Sequence, residues 1–126
     1  MPLLDENRLF PTEPRLRAMA HDLYECVRDL PIISPHGHTD PRWFAENQVF
    51  SDPANLFVTP DHYVFRMLHS QGISLDALGV PRVDGGQTER DPRKIWHLFA
   101  KNFHLFRGTP SRIWLEHAFQ EVFGIT

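Results

Sequence analysis

The sequence predicts an α/β protein of unusual proportions: a mainly α-helical chain with one short strand, as in the opening segment of a larger sheet protein. Three observations support this. First, an Asp or Thr followed at once by Pro recurs at Asp40-Pro41, Asp52-Pro53, Thr59-Pro60, Asp91-Pro92 and Thr109-Pro110. A side-chain oxygen at the N-cap satisfies an orphan amide, and Pro at the first helical position loses no hydrogen bond. Five such starts mean many short helices. Second, only Ile32–Ser34 reads as a buried strand, lying between the helix-stopping Pro31 and the histidines that follow. Third, a lone strand cannot pair with itself, and its buried amides and carbonyls need partners. Those neighbours must come from another chain or from more of this one, and the ending "FGIT", without a polar tail, favours truncation.

The elements follow in order. Leu16, Met19, Ala20, Leu23 and Val27 recur at 3–4 spacing, which predicts a first helix over 13–29 with Thr12 as its cap. Further helices are expected at 41–47, at 60–71 closed by Gly72, and at 75–78 closed by Gly79. The loop "VDGGQTER" at 83–90 then leads into aromatic-rich helices at 92–105 and 110–123, the last stopped by Gly124. The stripes Ile95, Phe99, Phe103, Phe106 and Trp114, Ala118, Val122, Phe123 read as core faces, and Cys26 as a buried structural thiol.

Composition excludes several functions. With 126 residues the chain is one domain at most, well short of a complete barrel of roughly 250. Hydrophobic residues make up 41%, with ten Phe and three Trp, so a core can be buried. Thirteen Lys and Arg against 16 Asp and Glu give a net charge of −3, which argues against a nucleic-acid or anionic-membrane partner. A single cysteine rules out an internal disulfide and fits a reducing compartment. No apolar run approaches a membrane span, so a soluble, cytoplasmic protein is expected.

The chemistry is concentrated in "PIISPHGHTDP" at 31–41. Residues i and i+2 of a strand share a face, so His36 and His38 would aim both imidazoles the same way past Gly37. Two neutral imidazoles suit a divalent metal, zinc first, provided that further ligands come from elsewhere. At the carboxyl end of a strand they would stand where parallel α/β folds place catalytic groups. The alternative is a surface turn whose imidazoles only meet water. On the helix "TPDHYVFRMLHSQG" (59–72), Val64, Met67 and Leu68 form the apolar stripe, with His62, Arg66 and His69 opposite and Tyr63 at its edge. Arg66 could grip a carboxylate in fork geometry, while His62 and Tyr63 exchange protons with hydroxyls or a carbonyl. A solvated polar face with a snorkelling arginine is the competing reading.

"PHGH", "DPRWFAEN", "DHYVFRML" and "WLEHAFQEVFGI", in that order, resemble the N-terminal part of the uronate (glucuronate) isomerases, in the amidohydrolase superfamily of metal-dependent (β/α)8 TIM barrels. The likeness runs from about Leu4 to Ile125. It implies that residues 1–126 are an N-terminal portion, with the first barrel strand near 32–34 and a helical insertion over 40–124. It further implies interconversion of D-glucuronate with D-fructuronate and of D-galacturonate with D-tagaturonate in hexuronate breakdown. His36 and His38 become metal ligands, and His62 and Tyr63 the family's substrate-contacting pair; Arg66 inherits no family role. The carboxylate metal ligand and substrate arginines of the family lie on later strands, so this chain by itself is expected to be inactive; a homo-oligomer is conceivable for the full-length form. Two other readings stay open: a hydrolase or deaminase of the same superfamily, and a non-catalytic helical binding module.

Overall fold

The computed structural model describes residues 4–34, 36–37 and 39–125. Among the described residues six α-helices follow one another: α1 (Pro14–Glu25), α2 (Arg42–Glu46), α3 (Pro53–Phe57), α4 (His62–Ser70), α5 (Pro92–Lys101) and α6 (Pro110–His117). Two 3-10 turns, Asp76–Leu78 and Phe103–Phe106, and a π turn at Ala118–Val122 complete the set. No helix among the described residues is long and apolar enough to cross a membrane.

The expected strand is absent. Ile32–Ser34 is irregular and pairs with no strand among the described residues, and Ile32 and Ile33 are 94% and 89% exposed. A ladder needs a neighbour, and none of the described residues forms a strand. In isolation the segment shows its strand composition without strand structure.

The capping logic holds with three refinements. Asp52 Oδ1 accepts from the Asn55 amide at 2.8 Å, and Asp91 Oδ1 from the Arg93 amide at 2.9 Å. Thr109 Oγ1 accepts from the Arg112 amide at 3.2 Å. Asp40 Oδ1 accepts from the Arg42 amide at 2.9 Å but stands one residue before the N-cap of α2, Pro41, which has no side-chain cap bond. Helix α1, however, is capped by Glu13 rather than Thr12; Glu13 accepts from the amides of Arg15 (3.0 Å) and Leu16 (2.6 Å). Pro14 at the first helical position makes its predecessor the cap. Those bonds from Leu16 and Arg15 hold the Glu13 carboxyl below its ordinary pKa. Similarly, α4 is capped by Asp61, whose Oδ1 accepts from the Tyr63 amide at 2.8 Å. The Thr59 hydroxyl instead donates to the Leu78 carbonyl at 2.9 Å.

The chain divides into two compact units, residues 1–37 with 115–126, and residues 38–114. In the second, Ala54, Val58, Val64, Leu68, Leu78, Ile95, Phe99 and Phe106 are buried. Helix α3 packs on α5, and α4 on the 103–106 turn. The Phe99 ring lies 5.0 Å from Trp96, 5.4 Å from Phe103 and 5.7 Å from Phe106, within the range of favourable aromatic contact. The helix expected over 92–105 breaks at Asn102, whose Nδ2 donates to the Leu98 carbonyl at 2.8 Å. Gly79 has φ +74°, and a β-carbon there would meet Ile95 Cδ1 at 2.8 Å, so the turn onto α5 needs glycine.

In the first unit the 5–10 segment folds onto α1. Asn7 Oδ1 lies 2.9 Å from His21 Nε2, and the Phe10 ring stacks on His21 at 4.0 Å. The apolar stripe of α1 nevertheless faces solvent: Leu16, Met19, Leu23 and Val27 are all exposed. So are Trp114, Val122 and Phe123 of the stripe expected to be core, while Leu115 is buried instead. Cys26 is exposed as well, its Sγ 3.4 Å from the Asp22 carbonyl.

Two outcomes follow from this packing. Phe99→Ala should cost about 3–5 kcal/mol in urea unfolding, whereas Leu23→Ala should stay within about 0.5 kcal/mol; equal losses would contradict the placement of the core. Arg82 Nη2 sits 2.6 Å from Asp84 Oδ2 and Nη1 sits 2.8 Å from Asp76 Oδ2. The Arg82 bond lowers the Asp84 pKa to about 2 from 3.8. A depressed carboxylate contributes stability above 3.8 that is lost as pH falls through 2. Carboxyl-carbon NMR should give an Asp84 midpoint near 2, moving towards 3.8 in Arg82→Gln; a wild-type midpoint at 3.8 would show that the pair does not form in solution.

Candidate functional site

Helix α4 carries a polar face of histidine, tyrosine and arginine side chains. Asp61 fixes its start, and the buried Val64 and Leu68 fix its rotation about its own axis. At 100° per residue, His62, Arg66 and His69 then fall within one outward arc. Arg66 and His69 are exposed, His62 half-buried, and Tyr63 is 51% exposed at the edge of the arc. The His62 and Tyr63 rings lie 4.4 Å apart, inclined at 30°. His62, Tyr63, Arg66, Met67, His69 and Ser70 line a shallow groove of about 500 Å³. Met67 is half-buried, so it borders the groove and belongs only partly to the stripe.

Two features define what this face offers. Among the described residues no carboxylate pairs with Arg66, so its five donors are available to an anion. His69 is also fixed in place: Nδ1 lies 3.0 Å from the Ile73 carbonyl, across the turn closed by Gly72 at φ +90°.

The histidine pair is only partly visible. His36 is exposed, and the Ser34 hydroxyl donates to its carbonyl at 2.8 Å. His38 lies outside the described residues. Among the described residues no three His, Cys, Asp or Glu side chains converge as a metal site would require. Two imidazoles are fewer donors than a divalent ion takes, so His36 and His38 would hold one only with further ligands.

Sequence reasoning also passed over a concavity beside α2. Asp40, Trp43, Glu46, Gln48, Phe50 and Asn55 are among the residues around a cleft of about 330 Å³ beside α2. Trp43 meets Phe50 edge to face at 5.0 Å. The aromatic pair at i, i+7 across the α2 turn was the available signal, and Asn47 at φ 45° makes that turn. Nearby, partial burial pushes the Asp52 carboxyl up, but bonds from Asn55, Ser51 and Ala54 outweigh it and leave the pKa below its ordinary value.

Comparison with known proteins fits this geometry into a family. The family described as glucuronate isomerase matches residues 9–126. The uronate isomerase of Rhizobium meliloti (strain 1021) is 58% identical over 123 residues, covering 98% of this chain and 26% of that protein. That of Caulobacter vibrioides (strain NA1000 / CB15N) is 60% identical over 121 residues, covering 96% and 25%. The crystal structure of glucuronate isomerase from Caulobacter crescentus superposes with a TM-score of 0.87 at 57% identity, over all of this chain and 26% of that one. The chain thus spans about a quarter of the length of the relatives it matches. A match over nearly every residue, with the α4 polar face inside it, leads to one conclusion: this chain belongs to the glucuronate isomerase family.

Proposed function

We infer that the protein containing this chain is an aldose–ketose isomerase acting on hexuronates, converting D-glucuronate to D-fructuronate and D-galacturonate to D-tagaturonate. The observation that carries the reading is the 57–60% identity to uronate and glucuronate isomerases across the whole chain. The outward face of α4 supplies suitable groups. In the reaction a base takes the C2 hydrogen while O1 gains a proton, giving an enediol; O2 then loses its proton and C1 gains one, giving the ketose. No atoms or electrons are lost. His62 and Tyr63 are assigned the proton exchanges at the C1 and C2 oxygens, with the imidazole moving a proton in either direction and the phenol hydrogen-bonding the developing oxyanion. Arg66 is assigned the substrate carboxylate.

The wider architecture belongs to the same proposal. Ile32–Ser34 would become the first strand of a (β/α)8 barrel once neighbours pair with it, and 40–124 the helical insertion after it. His36 and His38 would then be two donors to a divalent ion, zinc first, whose remaining ligands lie outside these residues. Such an ion polarises a substrate oxygen when bound. A cytoplasmic setting and a homo-oligomeric full-length form complete the reading.

Two measurements test it. In the full-length protein, His62→Asn and Tyr63→Phe should each lower kcat/KM for D-glucuronate by about 10²–10⁴, whereas the isolated 126-residue chain should show no turnover; unchanged variants, or turnover by the chain alone, would overturn the assignment. Elemental analysis of the isolated chain should find zinc well below one equivalent, because two imidazoles are half of a tetrahedral set. A full equivalent retained through gel filtration would show that the chain holds a complete site.

A further inference from the structure

Helix α5 carries an outward face that the isomerisation does not use. Ile95 and Phe99 are buried, which fixes the rotation of the helix about its axis. At 100° per residue His97 then points directly away from that pair, with Arg93 on one side and Lys94 and Lys101 on the other. All four side chains are exposed. They line a groove of about 450 Å³ whose apolar wall includes Ala77 and Leu98. Positive charge is concentrated in this part of the chain: residues 90–112 hold six of the thirteen Lys and Arg but only one of the sixteen acidic residues, Asp91. Glu89, the carboxylate at the groove, is already engaged. Its Oε1 accepts from the amides of Arg90 and Asp91, both at 2.9 Å, and its Oε2 lies 3.4 Å from Lys94 Nζ. No carboxylate among the described residues pairs with Arg93 or Lys101.

We propose that the outward face of α5 is a docking surface for an acidic helical segment of a partner protein. Its carboxylates meet Arg93, His97 and Lys101, and an apolar side chain rests on Leu98. The inference goes beyond the isomerase reading and does not depend on it. Spacing is the first argument. Arg93, His97 and Lys101 recur every four residues, so their donors step about 6 Å at a time along about 12 Å of axis. A second helix with a carboxylate on every fourth residue has the same period. Charge is the second argument, and it favours a short protein segment over a nucleic acid or an anionic membrane. Asp91 caps the start of α5, and the Asp76 carbonyl accepts from the Glu89 amide at 2.8 Å, so acidic residues border the groove. A long polyanion crossing the stripe would meet them too, within the screening length of about 8 Å at physiological salt. A short segment meets the cations alone. Exposed ion pairs are individually weak, so the contact is reversible.

The test uses the full-length protein and a fluorescein-labelled, alanine-rich peptide carrying glutamate at every fourth position with a leucine between. Fluorescence anisotropy should show this peptide binding about tenfold more tightly than its glutamine twin. Arg93→Glu combined with Lys101→Glu should erase that preference and bind a lysine-bearing twin more tightly than the wild type does. The milder Arg93→Gln with Lys101→Gln should reduce the preference while leaving the circular dichroism spectrum unchanged. Raising salt from about 0.1 M to about 1 M, which shortens the screening length from about 10 Å to about 3 Å, should also erase it. Equal affinity for the glutamate and glutamine peptides would overturn the proposal, as would a preference that survives the double charge reversal. Tighter binding of a short DNA duplex or of phosphatidylserine vesicles, lost in the same variant, would overturn it in favour of a phosphate-bearing partner.

Discussion

The burial of one face of α4 is the constraint on which the rest depends. Val64 and Leu68 are buried, and α4 packs on the Phe103–Phe106 turn that follows the Phe99 cluster of α5. Each fully buried apolar side chain contributes about 1.5–3 kcal/mol relative to exposure. Two such anchors on one stripe hold the helix against rotation about its axis. His62, Arg66 and His69 face outward because Val64 and Leu68 face in. The chemistry proposed for the groove is thus a consequence of core packing as much as of the polar residues themselves.

Much of this was legible in the sequence, for a local reason. Asp-Pro starts and glycine stops act through hydrogen bonds within a few residues, so Asp52, Asp91, Gly72 and Gly79 appear where the pattern places them. The misplaced caps at Thr12 and Thr59 differ from Glu13 and Asp61 by one and two residues. The second error had a tertiary cause: the Thr59 hydroxyl is taken by Leu78, nineteen residues away. The split of the 92–105 helix at Asn102 is again local, and the competing Asn102–Leu98 bond could have been anticipated.

Burial was legible only in part. Apolar periodicity identifies a helix face but says nothing about what covers it. The stripe Ile95–Phe99–Phe106 found partners within residues 54–106, while Leu16, Met19, Leu23 and Val27 found none among the described residues. Cys26 followed its helix into solvent. The Ile32–Ser34 strand failed for the same reason: strand composition expresses a preference, and a ladder needs a second strand. The candidate site divides along the same line. The His62–Arg66–His69 face is a property of one helix and was readable from its wheel. A metal site is a property of several segments, and two histidines in "PHGH" could announce it without completing it.

Native-state amide hydrogen exchange on the 126-residue chain tests the central claim most directly. If burial of Val64 and Leu68 fixes α4, the amides of α4 and α5 should exchange slowly and at a common free energy, through global opening of the 38–114 unit. Amides of α1, whose apolar stripe is exposed, should exchange faster, through local fraying. Exchange in α4 as rapid as in α1 would mean that the helix is not held by its buried face, and the outward array of His62, Arg66 and His69 would lose its physical basis.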